Sequence, residues 1–374
     1  TNFTFFLNDP VNGDGFQQSD RRVVYGGDVG YRHSGHLFDM DGAATVGVQA
    51  RVDDIHARLG PQVKRAPLGS TADSTIFEAS YAPFLKLELQ PTPWLRLAGG
   101  VRTEVFTFDV RNRCANCAEQ PAGNTSTGLV LPKMNVILGP WFETEFFANY
   151  GEGYHSNDAR SAVARAASPV AQARNYEVGI RSKPWGPDGV ELIGTLWALD
   201  LKQELVFVGD AGTTEIRGAS RRRGLEVAAR GQVWGPLYFN GSVTWTKAEF
   251  TNGDAIPLAP EVTAYGALLL RWPDGLTSQL QATYLGVRPL VEDRSAKAPS
   301  WTTFDLSERY QLPVKLPHGR LEAFLFVQNL FNTKWEQATF FFDSRLRNEA
   351  AAVSDTHFVP GNPRFVMAVL AWYF

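Results

Sequence analysis

The stretch LYFNGSVTWT, Leu237 to Thr246, decides how this chain is read. Leu237, Phe239, Val243 and Trp245 fall on one parity, and Tyr238, Asn240, Ser242 and Thr244 on the other. Side chains repeat every two residues along a strand and every 3.6 along a helix, so the stretch is a strand with one apolar and one polar face. Just upstream, RRGLEVAARGQ sets Leu225, Val227 and Ala229 against Glu226 and Arg230. In LRLAGGVRTEVFTF, Leu95, Leu97, Val101 and Val105 oppose Arg96, Arg102 and Glu104. The segment DARSAVARAASPVAQA, from Asp158, reads equally as a helix or a loop.

Bulk properties narrow the class. A length of 374 residues suits two ordinary soluble domains or one large all-β domain, and the formal charge of −3 excludes a strongly basic protein with a nucleic-acid partner. No 18-residue apolar window exists, which excludes membrane helices. The 12 % aromatic content and 34 glycines favour strands and turns. The opening TNFTFFLNDP has neither a basic n-region nor a signal-like apolar run, so the chain reads as a mature protein or a piece of a longer one.

Segments of this kind recur about sixteen times. They start near Asn2, Arg21, Gly42, Ser74, Trp94, Leu129, Thr144, Ala173, Val190, Arg222, Leu237, Glu261, Leu276, Trp301, Leu321 and Phe365. Each is expected to be near the length that a tilted strand needs to cross a bilayer, about 9–11 residues. Short connections (QPTPW, LGPWFE, KPWGPDG, VWGPL, WPDG) alternate with long polar ones, among them the stretch from Thr333 to Pro363. An antiparallel meander with two unlike ends has this form, as in bacterial outer-membrane barrels with short periplasmic turns and long external loops. Trp94, Trp141, Trp185, Trp234 and Trp272 all fall at the short turns. They read as one interfacial girdle, against the plainer reading that Trp, Gly and Pro simply share tight turns. In the last strand, RFVMAVLAWYF, the residues Val366, Ala368, Leu370, Trp372 and Phe374 are expected to face lipid. An aromatic final residue resembles the recognition signal through which such barrels reach their assembly machinery, so Phe374 is expected to be the true C-terminus.

Several motifs go further. NYGEGYHSNDAR, NYEVGIRSK, GASRRRGLEVAARG, the pair DGV…WALDLKQELVFVGDAG, FLFVQNLFNTKW and PGNPRFVMAVLAWYF together resemble the C-terminal barrel of TonB-dependent outer-membrane receptors, from about Tyr25 to Phe374. The resemblance implies an all-β antiparallel transmembrane β-barrel. The family's barrel has 22 strands around an N-terminal plug with a TonB-interacting segment. Here about 16 strands are recognised, with neither plug nor first strands, so residues 1–374 are expected to be the C-terminal portion of the barrel. The implied function is energised uptake, across the bacterial outer membrane, of a scarce bulky nutrient such as a ferric siderophore or similar metal chelate. The implied partners are outer-membrane lipid and lipopolysaccharide, the assembly machinery, the ligand and, where a plug is supplied, the TonB energy-coupling complex. A passive porin-like channel is the alternative, and it fits the strand count better. No enzyme activity, cofactor, resident metal or nucleic-acid partner is expected, since no Ser-His-Asp order, phosphate loop or paired-carboxylate spacing stands out.

Candidate functional residues follow from parity and loop position. Arg96, Arg102, Glu104, Glu177, Arg181, Glu226, Arg230 and Glu322 are placed on the lumen wall, where charges avoid the cost of facing lipid. Through the resemblance they are expected to contact a plug, the alternative being a solvated lumen. His155, Asn157, Asp158 and Arg160 form a candidate ligand or metal site in an external loop, or a purely structural set. Arg217, Arg221, Arg222 and Arg223 cluster at an external strand top, where they could attract an anionic chelate, lipopolysaccharide phosphates or acidic neighbours. Cys114 and Cys117 read as a local disulfide or, alternatively, a soft-metal site.

Overall fold

The computed structural model describes residues 5–114, 117, 121–164, 168–208, 213–314 and 318–374. The first half of the sheet is built from β1 (Phe16–Leu37), β2 (Met40–Val63), the two-residue β3 (Ala66–Pro67), β4 (Ala72–Thr92), β5 (Leu95–Asn112), β6 (Gly123–Trp141) and β7 (Thr144–Ser156). The short helix α1 (Ala159–Val163) precedes β8 (Val170–Ser182), β9 (Glu191–Leu201) and the loop strands β10 (Glu204–Val208) and β11 (Thr213–Arg217). There follow β12 (Ser220–Trp234), β13 (Leu237–Phe250), β14 (Val262–Arg271), β15 (Leu276–Leu285) and the loop pair β16 (Arg288–Pro289) and β17 (Lys297–Ala298). The chain closes with β18 (Trp301–Gln311), β19 (Arg320–Gln328), β20 (Glu336–Ser344), β21 (Val353–Pro360) and β22 (Phe365–Tyr373). No helix among the described residues is long and apolar enough to cross a membrane.

Sixteen strands form one sheet. β3 flanks β2, and the others follow one antiparallel path, β1-β2-β4-β5-β6-β7-β8-β9-β12-β13-β14-β15-β18-β19-β22. The register carries each face across the wall. One row runs Arg230, Asn240, Ala267, Gln281, Asp305, all polar or small. The opposite face carries Val101, Val105, Val130, Met134, Val178, Leu196, Val227 and Leu268, all exposed. An exposed apolar surface of that extent marks a membrane-facing or partner-facing wall.

The short connections gather at one end. Two are two-residue turns in which both central residues have positive φ, Phe38 and Asp39 at 54° and 62° and Phe142 and Glu143 at 51° and 57°. This mirror-image turn matches the twist of the strands it joins, and here the hairpin imposes it on residues without glycine's freedom. Trp94, Trp141, Trp185, Trp234 and Trp272 all stand exposed at this end, Trp94 stacking on Trp141 with centroids 6.2 Å apart. Trp372, at the close of β22, lies at the same end and donates its indole N–H to the His318 carbonyl at 3.2 Å.

The structure corrects three expectations. Asn2 lies outside the described residues, and the described segment from Phe5 to Gly15 is loop; the strand starts at Phe16. Phe5 instead packs against Phe342 and His357 of the β20–β21 hairpin. That hairpin occupies the stretch from Thr333 to Pro363, expected to be a long polar connection, and gives it regular structure. The strands also differ in length: β14, β15, β19 and β22 have 9 or 10 residues, whereas β1, β2 and β4 have 21 to 24. Antiparallel pairing continues above the bilayer wherever neighbours stay in register, so alternation there no longer reports membrane thickness.

Finally, β1 and β22 are not paired with each other. Because the path holds an odd number of antiparallel strands, both edge strands run toward the short-turn end. A direct β1–β22 pair would be parallel.

Candidate functional site

The lumen faces of β1, β2, β4 and β5 build a platform in three rows. Arg22, Ile55, Ile76 and Val110 form one, Val24, Asp53, Glu78 and Phe108 the next, and Gly26, Arg51, Ser80 and Phe106 the third. Ile55, Ile76, Phe106, Phe108 and Val110 are buried there together with Ala159 and Val170, and Tyr154 packs edge-on against Phe106 at 5.0 Å. This apolar plate seats α1, a five-residue helix too short to be stable alone. The loop between β7 and β8 is thereby folded over the lumen side of the wall.

Seating α1 fixes the residues before it. Asp158 caps the helix, its carboxylate accepting from the Arg160 backbone N–H at 2.8 Å and from the Arg160 guanidinium at 2.5 Å. Burial pushes the Asp158 carboxyl up, but the Arg160 guanidinium and backbone N–H groups outweigh it and hold the group below its usual value. The Arg160 guanidinium is held correspondingly above its own. Asn157 is buried and donates to the Ser168 carbonyl at 2.5 Å and to Gln203 at 3.3 Å, while its side-chain oxygen has no hydrogen-bond partner among the described residues.

His155, Asn157, Asp158 and Arg160 line one cavity of about 400 Å³ with Asp20, Arg22 and Glu78. Arg22 bridges Asp20 at 3.3 Å and Asp53 at 3.6 Å, and Arg51 holds Asp53 through two bonds of 2.7 and 2.9 Å. The four loop residues are therefore brought together, and the wall adds both signs of charge. Among the described residues, no three His, Cys, Asp or Glu side chains converge in a manner that could hold a metal ion. The cavity suits a polar ligand offering both donors and acceptors, resting against an apolar plate.

The arginine cluster does not form one site. Alternation sends Arg222 to the lumen face, where it bridges Glu204 at 2.9 Å, and Arg221 and Arg223 to the outer face. Arg221 faces Asp200 at 3.7 Å and Arg217 pairs with Glu292 at 3.1 Å. Three successive positions at the start of β12 point two ways, and Arg217 belongs to the loop strand β11. Cys114 and Cys117 are disulfide-bonded.

All eight lumen-wall candidates share the lumen parity. Glu145 joins Arg96 to Arg181, the latter at 2.9 Å; Arg102 pairs with Glu104 at 2.6 Å and Arg230 with Glu191 at 2.7 Å. Glu177 accepts from Asn149 and Asn175, and Glu322 accepts from Arg309 and Arg320. Glu226 sits between Thr195 and Thr244 in the register. Seven of the eight are thus held by neighbours along the wall, through opposite charges or amide hydrogen bonds. Sequence reasoning missed Glu145, Glu191 and Arg309, though their parity marks them, and it missed the plate. In VFTFDV the apolar side chains Phe106, Phe108 and Val110 fall on the lumen parity and Thr107 and Asp109 on the other, so hydrophobicity alone would turn the plate toward lipid.

Comparison with known proteins identifies this architecture. A family model described as "TonB dependent receptor-like, beta-barrel" matches residues 1–330. The chain is similar to the ferrichrome receptor FcuA of Yersinia enterocolitica, 24% identical over an alignment of 234 residues that covers 58% of this chain and 30% of that protein. Among solved structures it superposes on the ferric-catecholate import receptor Fiu of E. coli K12 with a TM-score of 0.72 at 16% identity, covering 95% of this chain and 55% of that one. The siderophore receptor PiuA of Acinetobacter baumannii gives 0.74 at 14%, covering 95% and 56%. The chain therefore spans about a third of the curated relative and just over half of the solved receptors.

Proposed function

As a member of the TonB-dependent receptor-like β-barrel family, whose proteins lie in the outer membrane, this chain is, we propose, the ligand-facing wall of a receptor for energised uptake of a ferric siderophore or a similar bulky chelate. The observation that carries this reading is the cavity beneath α1, where Arg22, Arg160, Asp20, Asp158 and Glu78 surround a recess beside an apolar plate. A large chelate with carbonyl, carboxylate or catecholate oxygens finds donors from the arginines and an apolar floor for its scaffold. The names of the similar proteins, a ferrichrome receptor and a ferric-catecholate import receptor, support the same ligand class. The family match leaves the diffusion-channel alternative without support, and the chain is proposed to carry no catalytic step.

Energised transport needs more wall than this chain holds. Unpaired edges are not tolerated against lipid, because no water is there to satisfy their backbone groups. Since β1 and β22 run the same way, an antiparallel closure takes an odd number of further strands. The paired charges of the lumen wall are proposed to meet a plug through their outer donor and acceptor positions. The assembly machinery, through Phe374, and the TonB complex, through the plug, are proposed partners.

The test is uptake of a radiolabelled ferric ferrichrome or ferric catecholate by cells carrying the completed receptor. Accumulation is expected to require inner-membrane energy coupling, and Arg22→Gln or Arg160→Gln to weaken binding about tenfold or more, the value of a charged hydrogen bond. Uptake that persists unchanged when coupling is abolished overturns the reading.

A further inference from the structure

The cavity beneath α1 is short of hydrogen-bond donors. Three of the carboxylates around it are held by arginines: Asp158 by Arg160, Asp20 by Arg22, and Asp53 by Arg51 and Arg22. The fourth, Glu78, lines the cavity with neither a hydrogen bond nor an ion pair among the described residues. Its direct neighbour across the β2–β4 pair is Asp53, and like charges directly opposite one another are destabilising. Arg58, the remaining arginine of the lining, donates instead to Ser70 at 2.6 Å.

A second acceptor there is also unused. Asn157 is 4% exposed, and its side-chain oxygen lacks a partner among the described residues, although its amide nitrogen is engaged by Ser168 and Gln203. Asn157 belongs to the loop ahead of α1 and Glu78 to β4, so two separate elements bring unmatched acceptors to one recess. A buried acceptor without a donor costs free energy that a suitable ligand recovers.

The recess stands above the membrane. From Thr92, where β4 ends at the short turns, back to Glu78 the strand climbs about 36 Å in height, at roughly 3.4 Å per residue and a tilt of about 40°. That exceeds the apolar band of about 25 Å that such barrels present to lipid. There, burial and then the Asp53 charge push the Glu78 carboxyl above its usual value, and Arg22 and Arg51 offset only part of this. A cation beside Glu78 would relieve the repulsion from Asp53.

We propose that the recess selects ferric chelates that carry a protonated amine, the ammonium resting on Glu78 while the arginine donors meet the chelate's oxygens. The proposal rests on the uptake reading above and narrows its ligand class. An ammonium has three donors and no acceptor, the complement of a site with acceptors to spare. A bare metal ion is a poorer match, because no three His, Cys, Asp or Glu side chains converge to hold one among the described residues. A chelate of oxygens alone would satisfy the arginines and leave Glu78 and Asn157 unmatched.

The test uses the completed receptor in mild detergent and two matched pairs of probes. One pair is a ferric trihydroxamate and the other a ferric catecholate, each with a free terminal primary amine or with that amine acetylated. Affinity is read from the quenching of tryptophan fluorescence. In at least one pair the amine form is expected to bind about tenfold or more tightly than its acetylated twin, the value of a charge-assisted hydrogen bond. Glu78→Gln should abolish that preference. Asp109→Asn, which removes a carboxylate from the outer face of the same wall one register step away, is the charge control and should keep it. Retained heat-modifiable migration on gels establishes that each variant is folded. Equal affinities within both pairs, or a preference that survives in folded E78Q, would overturn the proposal and leave the uptake reading standing. Binding of none of the four probes would overturn both.

Discussion

Arg160 donates to Asp158 twice, through its backbone N–H at 2.8 Å and its guanidinium at 2.5 Å, so one carboxylate both starts α1 and fixes the arginine that faces the cavity. Replacing Asp158 by Ala is expected to cost the loop about 1 kcal/mol, the usual value of an N-cap. Hydrogen exchange should quicken across residues 157–164 while the wall strands keep their protection. Uniform exchange across loop and wall would contradict this.

The same pair sets a pH dependence. The Asp158 carboxyl is held below its usual value in the fold, so its contribution is fully present above the unfolded value of about 3.9 and is lost as pH falls through the lower folded value. The loop should stay ordered from neutral pH down to about pH 4 and loosen only below it. Protease cleavage at the loop as a function of pH reads this directly, and loosening near pH 6 would assign the order to another group.

Glu322 and Glu191 give contrasting forecasts. Glu322 is 1% exposed and accepts from Arg309 at 2.8 and 3.0 Å and from Arg320 at 3.0 Å. Removing its charge with Glu322→Gln leaves two guanidinium groups without a carboxylate. We expect a clear loss of stability in urea unfolding from micelles. The Arg230–Glu191 pair has a guanidinium 64% exposed, and Arg230→Gln is expected to cost about 0–1 kcal/mol. Equal losses would mean that wall position, not shielding, governs these pairs.

Gly179 is a close-approach position on the lumen face. A Cβ there would lie 2.3 Å from Cζ of Phe147 and 2.5 Å from the Gly194 carbonyl oxygen. Gly179→Val should destabilise the wall by about 1–3 kcal/mol through overpacking, despite valine's preference for strands. Gly27, where a Cβ would meet nothing within 4 Å, is the control and should accept valine. A stabilised Gly179→Val would show that the Phe147 ring moves aside.

The Trp94–Trp141 stack predicts depth. Both indoles stand exposed at the short-turn end with ring planes 28° apart. Lipids brominated near the headgroup should quench their fluorescence more than lipids brominated near the chain ends, and Trp94→Phe with Trp141→Phe should show a coupling of about 0.5–1.5 kcal/mol. Stronger quenching from the chain ends would displace the girdle from the interface.

By itself the sequence determined what depends on neighbours along the chain. Alternation in LYFNGSVTWT and its counterparts assigned the strands and faces, because side-chain direction in a strand depends only on parity. Turn composition assigned the two ends, and five tryptophans marked the interface. It could not determine what depends on which strand lies beside which. Register alone brings Asp20 and Arg22 of β1 and Glu78 of β4 to the loop that carries Asp158 and Arg160, and it is set by pairing between residues far apart in the chain. Packing likewise decided that the ambiguous segment after Asp158 becomes a helix: five residues cannot pay for their own nucleation, and the plate of Ile55, Phe106 and Phe108 supplies the burial that does. The arginines from Arg221 to Arg223 look like one cluster in sequence and divide between two faces in space. The direction of the two free edges, β1 and β22, is also a property of the sheet alone, since it follows from the number of strands that pair, and pairing is a tertiary fact.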